Sequence, residues 1–204
     1  MAKIKHTKNE LKAQKEALRR YERFLPMLQM KKQLLQAEII RISGEIAAVQ
    51  AREETLRTNM ASWVQLFSEP EGIEEIVTLD KVNIEEGNIA GVAIPVFNDA
   101  EISVQPYDLF STPTWFDDAV ETISTLIRLR VQREVLEEQR RCVAEELRVT
   151  SQRVNLFEKV KIPECKENIR VIKIFLGDEQ TAAVARGKIA KKRTEDYEYK
   201  DEAA

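Results

Sequence analysis

The chain has 204 residues, 33% of them charged, with a formal net charge of −3, six glycines, six prolines, two cysteines and one histidine. That balance favours long helices over a loop-rich fold. Two cysteines are too few for a disulfide scaffold or a four-ligand zinc site, and a lone histidine removes most triad, general-base and metal options. The opening MAKIKHTKNE is polar and basic, so no signal peptide is expected. No apolar run approaches the roughly 18 residues of a membrane span.

The first element is a heptad run. Stepping by alternating threes and fours from Leu11 gives Gln14, Leu18, Tyr21, Leu25, Leu28, Lys32, Leu35, Ile39, Ile42, Ile46, Val49, Glu53, Leu56, Met60, Trp63 and Phe67, and fourteen of the seventeen are apolar. A 3.5-residue repeat makes a seam along one side of a helix and bends it into a left-handed supercoil. A helix of this length reaches roughly 85 Å and needs a second long helix to cover its seam. Thr7 and Glu10 fit a capping box at its start. Pro26 removes a backbone donor and is expected to kink the helix. Lys32 and Glu53 are polar seam positions that fix register. Pro70 and Gly72 mark the stop, between Ser68 and Gly72.

From there to Thr112 the period changes to two. Val82 and Ile84, then Val92, Ile94 and Val96, then Ile102 and Val104 alternate with small or polar residues, with Gly87-Asn88 and Asn98-Asp99 as turns. This predicts an antiparallel hairpin or a three-stranded meander. The aromatics Trp63, Phe67, Tyr107, Phe110, Trp115 and Phe116 are its expected foundation. With the seam lying outside it, the insert is expected to be separable.

The second helical half opens at Thr112-Pro113, read as an N-cap followed by proline at the first helical position. Ala119, Thr122, Leu126, Leu129, Arg133, Leu136, Arg140, Val143, Leu147, Thr150, Val154 and Phe157 repeat the three-four spacing. Pro163 interrupts the run; Ile169, Ile172 and Leu176 resume it. The expected fold is mainly α: a long antiparallel two-helix left-handed coiled coil with a small β-hairpin insert at the turn end. Residues 1–68 form the N-terminal helix, 69–112 the insert, and 113–204 the C-terminal helix, with a break near Pro163 and a flexible acidic tail.

Charge divides along the chain. Residues 68–121 hold thirteen acids against the single base Lys81, whereas the first 32 residues hold ten Lys/Arg against three Glu. Arg186, Lys188, Lys191, Lys192 and Arg193 form a second basic run. Most charge runs are only solvated faces. A fold with one basic and one acidic end, however, calls for a different partner at each. Gly177 and Gly187 lie among alanines and keep the last helix slim. No phosphate-binding glycine loop and no catalytic constellation is present. His6 precedes the first cap and is expected in a mobile tail. Cys142 and Cys165 read as core or surface thiols without a redox role.

Three stretches resemble the central-stalk D-subunit family of V/A-type rotary ATPases. The first is Thr7–Leu11 with Met27-Leu28-Gln29-Met30-Lys31-Lys32-Gln33-Leu34. The second is the hairpin segment Asn88-Ile89-Ala90-Gly91-Val92-Ala93-Ile94-Pro95. The third and most specific is Arg153-Val154-Asn155-Leu156-Phe157-Glu158, followed by Ile162-Pro163, Ile169, Ile172 and Leu176. The resemblance implies a non-catalytic rotor axle without cofactor or bound nucleotide. It carries torque between a ring of catalytic and regulatory subunits and a membrane-side ion-translocating rotor, with a small companion stalk subunit on the coil. It implies a cytoplasmic place, peripheral to the membrane through the complex and with no direct insertion. The basic run Arg186, Lys188, Lys191, Lys192 and Arg193 is the expected ring contact. Glu85, Glu86, Asp99 and Glu101 are the expected contacts to the membrane-side rotor adaptor or the companion subunit. A prefoldin-like chaperone also joins two helices through β-hairpins, but it needs exposed apolar tips. A generic structural coiled coil leaves the β insert and the two-ended charge without a reason. Nucleic-acid binding lacks aromatics among the basic residues of 188–193.

Overall fold

The computed structural model describes residues 5–61, 76–108 and 112–201, the last seven as backbone. Trp63, Phe67, Phe110 and the expected helix stop near Pro70 lie outside them. The order is α1 (Lys8–Met60), β1 (Val77–Ile89), β2 (Val92–Val104), α2 (Phe116–Leu156), a π-helical segment (Phe157–Lys161) and α3 (Ile162–Asp201). The chain divides into two compact units, one of Met1–Gln29 with Gln152–Ala204, the other of Met30–Ser151.

α1 starts at its predicted cap. Thr7 Oγ1 accepts the Glu10 N–H at 3.2 Å. The reciprocal half of the box is absent, because the Thr7 N–H donates to the Lys5 carbonyl instead. All fifteen described seam positions of α1, Leu11 to Met60, are buried or half-buried, and the helix continues through Pro26. α2 begins three residues later than its sequence signal. Thr112 Oγ1 donates to the Asp108 carbonyl rather than capping, and the Phe116 N–H donates to the Pro113 carbonyl. Pro113 therefore closes a turn before the helix.

In the unit Met30–Ser151, α1 and α2 pair antiparallel. Lys31 Nζ reaches Glu146 Oε1 at 2.6 Å, and Arg133 Nη1 reaches Glu53 Oε2 at 3.5 Å. Leu35, Ile42, Ile46 and Val49 pack on Leu136 and Val143, and Ile94 of β2 joins the same buried cluster. The insert is therefore part of the coil's own core rather than separable from it. A strand of thirteen residues spans roughly 43 Å, and the 26 residue steps from Phe116 to Cys142 on α2 span roughly 39 Å, so the hairpin has the length to run back along the coil. Its base rests on a second cluster of Val77, Phe116 and Val120, flanked by Ile102, Tyr107 and Trp115. The aromatic foundation is present for these three aromatics. Arg140, expected in the seam, is exposed, and its neighbour Gln139 is buried instead. The hairpin is the cause: the Gln139 amide donates to the Pro95 carbonyl at 2.6 Å.

The sheet has two antiparallel strands, so Ile102–Val104 extends β2 and forms no third strand. Neither predicted turn is one. The loop is Ala90-Gly91, with φ of 53° and 82°, the signature of a type I′ turn. The Asn88 Oδ1 accepts the Gly91 N–H at 2.9 Å. Gly87 lies within β1 opposite Ile94, where an added Cβ sits 2.6 Å from Val96 Cγ2. Asn98 lies at a register shift, between Asn83 paired with Asp99 and Ile84 paired with Phe97.

In the other unit, α1 pairs with the C-terminal helical run. The Tyr21 and Phe157 rings lie 4.9 Å apart, and Lys166 reaches Glu22 at 3.4 Å. Val154, Cys165, Ile169 and Ile172 are buried. At Pro163 the helical path changes form and does not end. Proline offers no N–H to the preceding turn. The chain widens into π geometry just before it, with the Ile162 N–H donating to the Phe157 carbonyl five residues back. His6, expected in a mobile tail, sets its ring 4.8 Å from that of Phe175.

Candidate functional site

Two surfaces hold the residues singled out by charge. The first is the C-terminal half of α3. Every residue from 177 to 194 is exposed, including Val184 at 60% and Ile189 at 57%. At 100° per residue, Lys188, Lys191 and Lys192 fall on one side of the helix and Arg186 and Arg193 on the opposite side. The positive charge therefore wraps the helix rather than marking one face. A Cβ added at Gly177 or Gly187 meets nothing within 4 Å, so these glycines serve no packing inside this chain. The same unit holds a basic stripe that was not among the expected contacts: Lys8, Lys12, Lys15, Arg19 and Arg23, all exposed, with a 3.9 Å Lys12–Glu16 pair. Its signal in the sequence is the four-three-four-four spacing of the bases, overshadowed there by the apolar seam beside it.

The second surface is the hairpin. Glu85 and Glu86 lie on β1, Asp99 and Glu101 on β2, all exposed. The structure does not gather them into one cluster; it spreads them along the ribbon. Glu85 Oε1 accepts from Asn98 Nδ2 at 2.9 Å, and Glu101 Oε1 accepts from Asn83 Nδ2 at 2.8 Å. Asp99 Oδ1 accepts the Ala100 N–H at 2.8 Å. Among the described residues Glu86 alone of the four has no such partner. Beneath the ribbon lies an open cavity of about 410 Å³, lined by residues that include Arg41, Glu45, Gly87, Ile94, Leu136 and Gln139.

Sequence reasoning missed two further contacts, one across the helix pair and one at the base of the hairpin. Glu53, 5% exposed, is neutralised by Arg133 across the seam. At the hairpin base, Tyr107 donates its hydroxyl to Asp117 Oδ1 at 2.5 Å, which holds the phenol above its ordinary pKa. Cys165 is buried, and desolvation raises its pKa. Among the described residues no group of three His, Cys, Asp or Glu could hold a metal ion, and no helix is long and apolar enough to cross a membrane.

A model of the family described as the D subunit of ATP synthase matches residues 10–192. The chain is 46% identical over 191 residues to the V-type ATP synthase D subunit of Borreliella burgdorferi, covering 94% of this chain and 95% of that one. It is 38% identical to the protein of the same name from Chlamydia felis, over 100% and 99% of the two chains. With the counterpart from Chlamydia muridarum the identity is 35%, over 96% and 98%. A match across nearly the whole length, on a fold of paired long helices with one hairpin, places the chain in the ATP synthase D-subunit family, whose members are non-catalytic parts of V-type ATP synthases.

Proposed function

We propose that this chain is the central rotor shaft of its complex. It passes torque between a catalytic ring, which it enters by the exposed half of α3, and a membrane-side ion-translocating rotor. The observation that carries this reading is the bare segment 177–194. Helices in proteins draw most of their stability from packing an apolar face, and exposed Val184 and Ile189 contribute to folding only when something surrounds them. Positive charge on both sides of that helix, borne by Arg186, Lys188, Lys191, Lys192 and Arg193, suits a collar in which the helix turns. A contact made at one fixed azimuth would need charge on one face only. The acidic hairpin, with Glu85, Glu86, Asp99 and Glu101, faces different chemistry and is the attachment element towards the membrane-side rotor adaptor or the small companion stalk subunit. The chain works on the cytoplasmic side and is held at the membrane through these partners.

The test uses the purified ring. The chain alone hydrolyses no ATP, and adding it changes the turnover of the ring. Gly187→Trp leaves the isolated chain folded, since nothing lies near that Cβ, and slows rotation in a single-molecule assay. Unhindered rotation of that variant overturns the close-fitting collar.

A further inference from the structure

The two outer edges of the hairpin differ. In a two-residue hairpin the pair that flanks the turn exchanges both hydrogen bonds, and paired positions then alternate between bonded and non-bonded. Ile89 and Val92 flank the turn, so Ile89–Val92, Gly87–Ile94 and Glu85–Val96 are the bonded pairs. Asn88–Ala93, Glu86–Pro95 and Ile84–Phe97 are the non-bonded ones, and their N–H and C=O groups point outward. Two observations fix this phase independently. Pro95 has no N–H to give the ladder, and its carbonyl, aimed outward, accepts from Gln139 of α2.

The edge of β2 is thus closed twice near the turn, by a proline and by a helix side chain. These are the means by which proteins blunt a strand edge. β1 has neither. Ile84, Glu86 and Asn88 present their outward backbone groups from exposed residues, and Ile84 is 51% exposed. The ribbon from Val77 to Val104 holds Asp80, Glu85, Glu86, Asp99 and Glu101 against Lys81 alone.

We propose that the outer edge of β1 at Ile84, Glu86 and Asn88 is a strand-addition site for an extended, Lys- or Arg-bearing segment of a partner subunit. Main-chain hydrogen bonds to these three residues give the affinity, and the acidic ribbon selects the sign of the partner's charge. This deepens the reading of the hairpin as an attachment element and rests on it.

The discriminating variant is Glu86→Pro. It deletes an outward N–H without touching the β1·β2 ladder, as Pro95 already does across the pair. Glu86→Ala keeps that N–H and removes only the charge. The full-length variants are rebound to the purified V-type complex stripped of this chain. Glu86→Pro is expected to keep the parent's circular dichroism and melting temperature and to bind about tenfold more weakly. Glu86→Ala is expected to lose about threefold, a loss that vanishes at high salt. Hydrogen exchange at the Glu86 and Asn88 amides slows on reassembly in the parent chain. Parent-like binding by a folded Glu86→Pro overturns the proposal, as does unchanged exchange at both amides. If replacing the exposed Glu85, Glu86, Asp99 and Glu101 together by alanine weakens attachment while Glu86→Pro does not, the attachment role stands and strand addition falls. If that replacement changes nothing, the attachment role falls as well. Protection of the same amides in the isolated chain at high concentration assigns the edge to a second copy of this chain and also overturns the proposal.

Discussion

The coupling of the hairpin to the coil can be measured at Ile94. Its side chain is 5% exposed and sits in the cluster formed by Leu35, Ile42, Ile46, Val49, Leu136 and Val143. Ile94→Ala removes three carbons, each about 0.8 kcal/mol of transfer free energy, and leaves a space that a helix pair with fixed backbones fills only in part. The expected cost is about 3 kcal/mol, within the range of about 2–5 kcal/mol for such truncations. Ile84→Ala, at a half-exposed position on the same hairpin, leaves no cavity and costs under about 1 kcal/mol. Urea unfolding followed by the helical signal at 222 nm compares the two. The helical midpoint falls for Ile94→Ala and barely moves for Ile84→Ala. Equal, small shifts would refute the reasoning, because the hairpin would then unfold without the coil noticing.

Further variants probe other contacts. Arg133→Ala leaves the Glu53 carboxylate buried without its cation and costs about 3 kcal/mol, whereas Glu53→Leu costs less, because Arg133 is 25% exposed and can reach water; chemical denaturation of both decides it. Gly87→Ala pushes a Cβ to 2.6 Å from Val96 Cγ2 and destabilises by about 1–2 kcal/mol, and Val96→Ala in the same chain recovers most of the loss in a double-mutant cycle. Cys165, buried and with its thiol pKa raised by desolvation, resists iodoacetamide at pH 8 until the chain is unfolded, as peptide mapping of the alkylated protein will show. Lys191→Ala or Arg193→Ala alone leaves ring binding nearly unchanged, each exposed charge being worth about 1 kcal/mol or less, while replacing all five bases from Arg186 to Arg193 weakens binding and flattens its salt dependence.

The helices were legible because their signal is redundant. A seam of seventeen positions survives three polar members, and the structure buries or half-buries each of its described positions, Gln14, Lys32 and Glu53 among them. What stayed hidden depends on single long-range contacts. Arg140 and Gln139 differ by one step on α2, and the choice between them is made by the Pro95 carbonyl, 44 residues away. The turns were misplaced for a related reason. Gly87-Asn88 has turn composition, yet Gly87 is there to let the Ile94 and Val96 side chains lie close, and the Asn88 side chain caps the true turn two residues on. Ala90 at φ 53° is an uncommon conformation for a residue with a Cβ, so composition pointed elsewhere. The basic residues 186–193 were visible as charge and their azimuths follow from helix geometry, but the exposure of every residue from 177 to 194 did not show in the sequence.

The folding of the hairpin onto the coil bears on how force travels. Were the insert a tethered flap, a partner attached to it could only hold the chain by a loose strap. Here a pull on β1 passes through the Gly87–Ile94 pair into the Ile94 side chain, and from there to Leu136 and Val143 on α2 and to Ile42 and Ile46 on α1. The Gln139–Pro95 hydrogen bond adds a second connection to α2. Close-packed interiors transmit strain because a small displacement meets steep repulsion on one side and lost contact on the other. The Glu53–Arg133 and Lys31–Glu146 pairs then resist sliding of one helix along the other, since a shift by one turn separates both pairs at once. An attachment at the β1 edge therefore acts on the helix pair as a lever rigidly joined to it. Glu86, paired with Pro95, and Ile94, paired with Gly87, lie on opposite faces of the ribbon, so one face carries exposed charge while the other bears load.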